Sequence, residues 1–335
     1  MSISLDMLEQ YGNIVLPPRN KKMKCQACNS DTKKFGKDRK GHQRYRCLSC
    51  KKTFVEAYEK PLGEMRLPFQ KALSIIKLLV EGCSIRSAER ITGVEKRTIL
   101  SLLLLVGERC ENLMTQRIHG LQVENVQCDE LWGYVGMKEK TKTRKGETSN
   151  RIGDAWCFTA IERRTKLILA WHLGRRSADH TIDFTEKLRH ATKGSFQVNA
   201  DGFSAYQDAI SYSLGAQHVD FAVIIKQYAH NPESETRYSP SECTGCMKVA
   251  VYGHPDLKAA STSHIERQNL TVRMGMRRMT RLTNAFSKKW KNLKAAYALH
   301  FAYYNFCRVH QSLRVTPAME AGITDHIWTL TELVC

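Results

Sequence analysis

The sequence lacks any apolar run long enough to cross a membrane. Its longest apolar stretch, residues 99–106, has the length of a core helix segment and falls far short of the roughly 20 residues of a membrane span. The first residues also lack the basic start of a secretory signal peptide, since they contain Asp6 and Glu9. These absences exclude the integral membrane and secreted classes, and we expect a soluble, cytoplasmic protein.

Acidic residues are scarce relative to basic ones. The 335 residues include 52 Lys and Arg against 33 Asp and Glu, which leaves a formal net charge of +19. Such a surplus favours a polyanionic partner, because a nucleic acid releases condensed counterions when basic side chains bind it. We therefore expect association with double-stranded DNA and the nucleoid. A chain of this length also predicts two or three domains.

The twelve cysteines do not suit the disulfide framework of a short secreted domain. Six are scattered through apolar segments, where thiols behave as small hydrophobic groups. The other six form three C-x-x-C pairs, namely Cys25/Cys28, Cys47/Cys50 and Cys243/Cys246. We therefore expect metal ligands among the pairs in place of disulfides.

The first two pairs predict a structural zinc site. Cys25-x-x-Cys28 and Cys47-x-x-Cys50 are separated by 18 residues, a spacing typical of a zinc ribbon with two knuckles. A segment this short buries too little surface to fold alone, so the metal would supply the missing stability. A redox dithiol is the alternative, but the βαβ pattern that accompanies such motifs is absent. We predict a basic zinc ribbon with one zinc ion.

Helical periodicity follows the ribbon. Gly82 ends a first apolar stripe, Ser84 caps a short second helix, and Gly93 makes a turn before a third helix. Short helix, turn and longer helix is the arrangement of a helix-turn-helix motif, whose recognition helix meets DNA at its leading end. A three-helix bundle without DNA contact explains the apolar pattern equally well. The predicted DNA contacts at the leading end are Lys96, Arg97 and Thr98.

Alternating strands and helices predict a mixed α/β sheet in the middle of the chain. The strands are predicted at residues 126–135, 155–162, 167–172, 196–200 and 219–225, and the helices at residues 179–190 and 203–212. Residues 229–255 are predicted to be irregular. Within them, Cys243 and Cys246, with His230 or His254, would bind a second zinc ion or remain two unpaired thiols.

Three carboxylates stand in unusual contexts for charged groups. Asp129 lies inside a predicted strand, Asp201 ends another strand, and Glu266 begins a helix. A buried carboxylate without a partner is costly, so acids in apolar strands usually have a cation nearby. Phosphodiester cleavage and transfer use two Mg²⁺ ions about 3.5–4 Å apart, and these hard cations take oxygen ligands. We predict that Asp129 bridges both ions while Asp201 and Glu266 each complete one, with Mn²⁺ as an alternative ion.

Each acid also has a purely structural alternative. The sequence Ser263-His-Ile-Glu266 matches a capping box, in which the glutamate accepts a hydrogen bond from the backbone N–H of the cap. Asp201 suits a turn, and Asp129 suits an ion pair with an arginine. Glu130 directly follows Asp129, so strand alternation places it on the opposite face and makes it the weaker candidate.

Nine basic residues and no acid follow Glu266 as far as Lys294. We expect one basic helix in which Arg273 and Arg277 lie near the face of Glu266 and bind phosphates beside the scissile bond. A solvated basic face is the alternative. The predicted DNA contacts of this segment are Arg267, Arg273, Arg277, Arg278 and Arg281.

Four sequence blocks resemble transposases of the bacterial and archaeal insertion-sequence-one family. They are CDELWGYVG, NADGFSAY, STSHIERQNLTVRMGMRRMTR and the tail YYNFCRVHQSLRVTPAM, and the likeness extends from the zinc ribbon to about Ala321. The resemblance implies an RNase H-like catalytic domain that binds terminal inverted repeats and cuts and joins DNA with Mg²⁺. It also implies that Asp129, Asp201 and Glu266 form an acidic DDE triad and that the two N-terminal C-x-x-C pairs bind zinc.

The leading hypothesis is a DNA transposase that cleaves a strand and transfers its 3′-end to target DNA. A homo-oligomer is expected because two element ends must be joined together, and residues 287–308 are a candidate dimer surface with intramolecular packing as the alternative. A non-catalytic zinc-ribbon and helix-turn-helix DNA-binding regulator is the alternative from another class, and a simple nuclease is a third hypothesis. The predicted multi-domain α/β organisation is a tether at residues 1–20, a zinc ribbon at 21–60, a helix-turn-helix domain at 65–115, an RNase H-like mixed-sheet catalytic domain with C-terminal helices at 122–310 and a tail at 311–335.

Overall fold

The computed structural model describes residues 23–39, 41–55, 61–228 and 243–335. Backbone contacts divide the chain into two units, Met1–Lys60 and Pro61–Cys335. The predicted tether at residues 1–20 lies outside the described residues. The predicted helix-turn-helix segment and the predicted sheet belong to the same unit.

A three-stranded antiparallel sheet forms the described part of the first unit. Its strands, in sheet order, are β1 (Thr32–Lys37), β2 (Gln43–Cys47) and β3 (Thr53–Val55). The rings of Tyr45 and Phe54 stack with their centroids 6.1 Å apart and so cover one another on this sheet. Strands this short bury little apolar surface, so the sheet needs a further stabilising element.

Three helices open the second unit, namely α1 (Phe69–Val80), α2 (Ile85–Thr92) and α3 (Lys96–Arg117). The Ser84 hydroxyl caps α2 by accepting a hydrogen bond from the backbone N–H of Ser87 at 3.0 Å. Gly93 ends α2 at a φ of 67°, a left-handed conformation that glycine adopts without a steric penalty. The Glu89 carboxylate then accepts a hydrogen bond from the backbone N–H of Lys96 at 2.8 Å, which ties α2 to the start of α3.

A mixed six-stranded sheet forms the centre of the second unit. The elements in chain order are β4 (Leu121–Gln122), β5 (Asn125–Val135), α4 (Glu139–Arg144), β6 (Gly153–Glu162), β7 (Ile168–Gly174), α5 (Ala178–Ala191), β8 (Thr192–Lys193), β9 (Phe196–Asp201), α6 (Ala205–Leu214), β10 (Val219–Tyr228) and β11 (Cys243–Tyr252). The strand order is β11-β10-β9-β5-β6-β7, and β4 pairs separately with β8. β5, β6 and β7 are antiparallel neighbours, whereas β9 is parallel to both β5 and β10.

The expectation that residues 229–255 are irregular is wrong for β11. This strand pairs antiparallel with β10 along the outer edge of the sheet. Most of its residues are exposed or half-buried, so the segment lacks the apolar run by which the inner strands are recognised. A search for hydrophobic periodicity misses this strand because it is exposed, whereas β7, at the other edge of the sheet, is mostly buried and was predicted.

Further helices complete the described second unit. They are α7 (Ser263–Gly275), a 3₁₀ turn at Arg277–Met279, α8 (Trp290–Phe306), α9 (Pro317–Glu320) and α10 (Leu330–Val334). The expectation of one basic helix after Glu266 is wrong, because α7 ends at Gly275 and the chain turns there. A Cβ at Gly275 would lie 3.0 Å from Cε1 of His300 in α8, and Met276 and Met279 enter the core at this bend.

Helix α8 lies inside the second unit. Most of its side chains are buried, and Tyr297 and Phe301 stack near Trp171 of β7, with ring centroids 6.3 Å and 5.7 Å from it. Its other neighbour is α3, where Gly107 faces Ala295. Intramolecular packing therefore accounts for the apolar face of this segment. In the parts of the chain that the structure describes, no helix is long and apolar enough to span a membrane.

The contact between α3 and α8 predicts that Gly107→Ala destabilises the protein. The new Cβ would lie 2.5 Å from the Cβ and 2.6 Å from the Cα of Ala295, so the two helices would have to separate. We expect overpacking to lower the free energy of unfolding by about 1–3 kcal/mol, as measured by urea unfolding. Ser101→Ala, on the exposed face of α3, is the control. Equal stability of the two variants would contradict the close helix approach.

Candidate active site and cysteine cluster

Four cysteines converge in the first unit. The Sγ atoms of Cys25 and Cys50 are 3.6 Å apart, those of Cys28 and Cys47 are 3.4 Å apart, and all four lie within 4.8 Å of one another. A tetrahedral zinc ion with Zn–S bonds of about 2.3 Å separates its sulfur ligands by roughly 3.7 Å. The cluster therefore has the ligand set and spacing of a four-cysteine zinc site.

Hydrogen bonds in this cluster favour the thiolate at some cysteines and oppose it at another. The backbone N–H groups of Ala27 and Cys50 donate to the sulfurs of Cys25 and Cys47 at 3.4 Å and 3.3 Å. The side chain and the backbone N–H of Ser30, together with other cysteines of the cluster, lower the pKa of Cys28 to about 6, and the pKa of Cys47 is also lowered. Burial and hydrogen bonds to the other cysteines raise the pKa of Cys50 to about 11, although the backbone of Lys52 opposes this rise. Thiolate is the form of cysteine that binds metal, so a bound zinc ion would have to displace the proton of Cys50.

A group of carboxylates lies where β5 and β9 run side by side in the second unit. Cys128 pairs with Ala200 in the parallel register, which brings Asp129 next to Asp201 at the carboxyl end of β9. One carboxylate oxygen from each of Asp129, Glu130 and Asp201 lies within 4.8 Å of the others. The structure therefore brings together two of the three predicted acids and adds Glu130.

Glu130 projects from the other face of β5, as strand alternation predicts, yet it belongs to the group. Its carboxylate pairs with Arg176 at 3.0 Å, whereas Asp129 accepts a hydrogen bond from Asn269 of α7 at 2.7 Å. Because β9 ends at Asp201, β5 has no strand partner on that side beyond Cys128, and side chains from both faces of β5 can reach this point. The geometry therefore makes Glu130 a candidate ligand beside Asp129 and Asp201.

The acids perturb one another strongly. Burial, followed by the negative charge of Asp201, raises the pKa of Asp129 to about 7, and the carboxylates of Glu130 and Glu266 add to the rise. The backbone N–H of Glu130, which donates to Asp129 Oδ1 at 2.8 Å, offsets part of this effect. Burial and Asp201 also raise the pKa of Glu130, against the influence of Arg176. A bound cation would relieve this repulsion.

One oxygen of the group is suited to a metal ligand. Oε1 of Glu130 is buried and accepts no hydrogen bond of ordinary geometry from the described residues, but the Tyr206 hydroxyl lies near enough to this carboxylate to lower its pKa. Buried acceptors that are so weakly satisfied are rare in folded proteins. Carboxylate oxygens are also the ligands that Mg²⁺ prefers. The donor set of Asp129, Glu130 and Asp201 therefore fits a hard divalent cation.

Glu266 lies in the first turn of α7, across from the group. Its carboxylate accepts hydrogen bonds from the Thr262 hydroxyl at 2.5 Å and from the ammonium group of Lys226 on β10. Thr262 is the N-cap and makes no side-chain cap bond, so the capping box proposed for Ser263 and Glu266 does not form. The Glu266 side chain therefore bonds to Thr262 and Lys226 through Oε1 and does not belong to the close group of acids, but its charge contributes to the raised pKa of Asp129.

The purely structural alternative does not hold for Asp129 but does hold for Asp201. Asp129 has no arginine partner among the described residues, since its carboxylate bonds to Asn269 and to the backbone of Glu130. Asp201 does form a turn contact, because its Oδ1 accepts a hydrogen bond from the backbone N–H of Phe203 at 3.1 Å. A turn contact occupies one oxygen and leaves the other free to bind an ion.

Helix α7 is held against β5 by side chains along one face. Oε1 of the buried Gln127 accepts hydrogen bonds from the backbone N–H groups of His264 and Ile265 at 2.9 Å and 3.1 Å, and so caps the start of the helix. Asn269 donates to Asp129, and Arg273 donates to the Trp132 carbonyl oxygen at 3.2 Å. Asn269 and Arg273 follow Glu266 at helical spacing, so these contacts fix which side of α7 meets the acids.

Sequence reasoning did not find Gln127, Lys226 or Asn269. The sequence spacing could have identified two of them. Gln127 is two residues from Asp129 and lies on the same face of β5, and Asn269 is three residues from Glu266 on α7. No such spacing identifies Lys226, since its partner is 40 residues away. Only the strand pairing brings that lysine to the site.

The predicted DNA contacts divide into exposed and inward-facing groups. Arg273 also donates to the Met279 carbonyl oxygen at 3.1 Å, and Arg278 donates to Ser287 Oγ at 3.0 Å and to the Asn292 carbonyl oxygen at 2.9 Å. Burial lowers the pKa of Arg278 to about 10. These two guanidinium groups hold the chain that follows α7. Thr98 is half-buried, and the exposed members are Lys96, Arg97, Arg267, Arg277 and Arg281.

Cys243 and Cys246 are exposed on the edge strand β11. Within the described residues, three groups of His, Cys, Asp or Glu could hold a metal ion, and neither cysteine belongs to any of them. His230, one of the predicted partners, lies outside the described residues. A second zinc ion at this pair stays a prediction.

Comparison with known proteins adds little. No family model matches the chain, and no curated protein matches it. Among solved structures, an endonuclease V from Bacillus subtilis aligns over 61% of this chain and 90% of its own length, at 14% identity and a TM-score of 0.22. A TM-score this low carries no inference about fold or function.

The capping contact of Gln127 predicts that Gln127→Met loosens the start of α7. Methionine has a similar volume but accepts no strong hydrogen bond, so two backbone N–H groups lose their acceptor, which costs roughly 1–3 kcal/mol for a buried donor. Hydrogen exchange at residues 263–266 should become faster, as measured by mass spectrometry. Gln122→Met, on the exposed strand β4, is the control. Unchanged exchange in Gln127→Met would contradict this anchoring.

Proposed function

We propose that this protein is a DNA transposase that resembles the insertion-sequence-one family. The observation that carries the proposal is the convergence of Asp129 and Asp201 at the carboxyl end of β9, with Glu130 beside them and Glu266 facing them from α7. Three antiparallel strands followed by two parallel strands joined through helices support an RNase H-like assignment of the sheet. The reaction is metal-dependent cleavage of a DNA strand and transfer of its 3′-end.

Asp129, Asp201 and Glu266 would hold two Mg²⁺ ions, and we add Glu130 as a fourth carboxylate. Two such ions stabilise charge on the attacking and leaving oxygens of a phosphodiester. The raised pKa of Asp129 reflects burial first and the neighbouring acids second, and a bound cation would oppose both effects. Asn269 and the backbone of Glu130 orient the Asp129 carboxylate, and Arg176 orients Glu130.

Lys226 has two roles in this proposal. Its ammonium group balances the charge of Glu266, and Asp129 also stabilises the charged form of this lysine. The Lys226 ammonium group, which lies beside the acids, would also donate a hydrogen bond to a phosphate oxygen of bound DNA. The lysine thus compensates the acids before DNA binds and assists in binding the backbone afterwards.

Recognition of terminal inverted repeats is assigned to the zinc ribbon and to the leading end of α3. Lys96 and Arg97 are exposed there, where a recognition helix meets base edges. Arg267, Arg277 and Arg281 are exposed beyond Glu266 and would bind phosphates near the reaction site. A net charge of +19 supports binding to element ends and to target DNA. Joining two ends in one event requires a homo-oligomer.

One observation favours a second candidate, a DNA-binding regulator without catalysis. The ion pair between Lys226 and Glu266 satisfies the glutamate without any metal. Such a protein would bind DNA in the same way with or without Mg²⁺ and would leave both strands intact. The raised pKa of Asp129 has no use in that account.

The proposal predicts that Glu266→Gln abolishes strand transfer while the protein still folds. Glutamine keeps the shape of the side chain but removes the negative charge that would bind an ion. Loss of partners outside the metal ligands already lowers activity tenfold to about hundredfold, so removal of a ligand should cost at least as much. The measurement is the joining of labelled element ends to target DNA with Mg²⁺.

Glu108→Gln, exposed on α3, is the matched control and should keep full activity. The melting temperature and DNA affinity of both variants should equal those of the wild type. Full strand transfer by Glu266→Gln would contradict its metal role. Release of cut ends without joining by the wild type would favour a simple nuclease, and unchanged DNA with tight binding would favour the regulator.

A further inference from the structure

A second group of ligating side chains lies where β7 passes into α5. His172 is on β7, and His180 and Asp183 lie one turn apart on α5. His172 Nε2 is 2.9 Å from His180 Nδ1, and Asp183 Oδ2 is 3.7 Å and 3.6 Å from these two nitrogens. We propose that these three side chains bind one zinc ion or a similar divalent transition metal, which fixes the turn between β7 and α5.

The spacing of the three ligand atoms suits a tetrahedral ion. Zn–N and Zn–O bonds of about 2.0–2.2 Å separate neighbouring ligand atoms by roughly 3.3–3.5 Å. The three observed distances bracket that value, so small side-chain rotations would complete the site. A single hydrogen bond between the imidazoles is the other reading of the 2.9 Å contact, but it leaves the approach of Asp183 to both rings without a purpose.

Gly174 makes room for this group. A Cβ at this position would lie 2.4 Å from Cγ and 2.5 Å from Nδ1 of His180, so any larger residue would push the ring away from His172. Gly174 is not among the glycines with positive φ, and backbone conformation therefore does not explain it. The close packing of Gly174 against the His180 ring is a second observation, separate from the distances among the three ligand atoms.

The donor set selects the class of metal. Two imidazoles and one carboxylate are typical ligands of zinc and similar transition metals, whereas Mg²⁺ binds mainly to oxygen. Three protein ligands leave a fourth position for water. The Asp183 side chain is 59% exposed, so solvent and ions reach the group from that side.

The group is separate from the acidic site but linked to it. In the strand register His172 lies opposite Phe158, which lies opposite Glu130, so the Phe158 ring stands between the two groups. The turn between β7 and α5 carries Arg176, whose guanidinium donates to Glu130 Oε2 at 3.1 Å and lies 4.1 Å from the ring centre of Phe203. An ion that joins both ends of the turn would hold Arg176 in place at Glu130.

The first experiment measures zinc per chain. Full-length protein is dialysed against Zn²⁺ with an excess of Mg²⁺, which occupies oxygen sites, and bound zinc is measured by mass spectrometry. The wild type should hold one zinc ion more than His180→Ala. The matched control is His190→Ala, which removes an exposed histidine of the same helix and should equal the wild type. Equal zinc content in His180→Ala and the wild type would overturn the proposal.

Asp183→Asn is a second test of the site in case His180→Ala does not fold. The Asp183 side chain is largely exposed, so this substitution should not disturb folding. It should keep the wild-type melting temperature in the absence of zinc and lower the zinc affinity of this site at least tenfold. Unchanged affinity would remove Asp183 from the ligand set and overturn the site as proposed.

Hydrogen exchange tests the effect on the turn. Zinc should slow exchange at residues 175–177 in the wild type and have no effect there in His180→Ala. If the wild type binds zinc but hydrogen exchange at residues 175–177 does not become slower, the ion does not fix the turn that carries Arg176. Because neither readout involves DNA, both outcomes are independent of the proposed transposase activity.

Discussion

Repulsion among carboxylates is the constraint on which the second unit depends. Asp129, Glu130 and Asp201 place oxygens within 4.8 Å of one another in a partly buried site. Burial, together with the charge of Asp201, raises the pKa of Asp129 to about 7. A folded protein tolerates such an arrangement only when nearby groups compensate it. Lys226, Arg176 and Asn269 are those groups here, and each comes from a different element of the fold. The compensation is incomplete, since the pKa values of both Asp129 and Glu130 remain raised.

The polar contacts around the acids form one framework. Gln127 caps α7, Asn269 of the same helix reaches Asp129, and Arg273 binds the backbone of β5 one turn farther along. On the other face, Arg176 extends from the turn before α5 to Glu130. Side chains held on both sides by partly buried hydrogen bonds lose little entropy when a ligand binds, which is the property required of a preorganised site.

Hydrophobic periodicity predicted the inner sheet well, because β5, β6, β7, β9 and β10 are buried strands with apolar runs, and the mixed α/β class is confirmed. The four cysteines also come together as the spacing of their pairs predicted.

Strand β11 was missed because exposed strands lack apolar runs. The basic segment after Glu266 was predicted to be one helix because a run of charged residues does not show where the chain turns. Glu130 was ranked low because alternation describes an isolated strand, whereas the end of β9 opens the site to both faces. Lys226 meets Glu266 only through the pairing of distant strands.

If these carboxylates hold divalent cations, a crystal of the protein soaked in Mn²⁺ should show the ions in its anomalous scattering. We expect two Mn²⁺ ions about 3.5–4 Å apart, with Asp129 and Asp201 among their oxygen ligands. The Lys226 ammonium group should move away from Glu266 when the second ion binds. A well-ordered site at saturating Mn²⁺ with no anomalous peak between Asp129 and Asp201 would show that the carboxylates do not bind such ions.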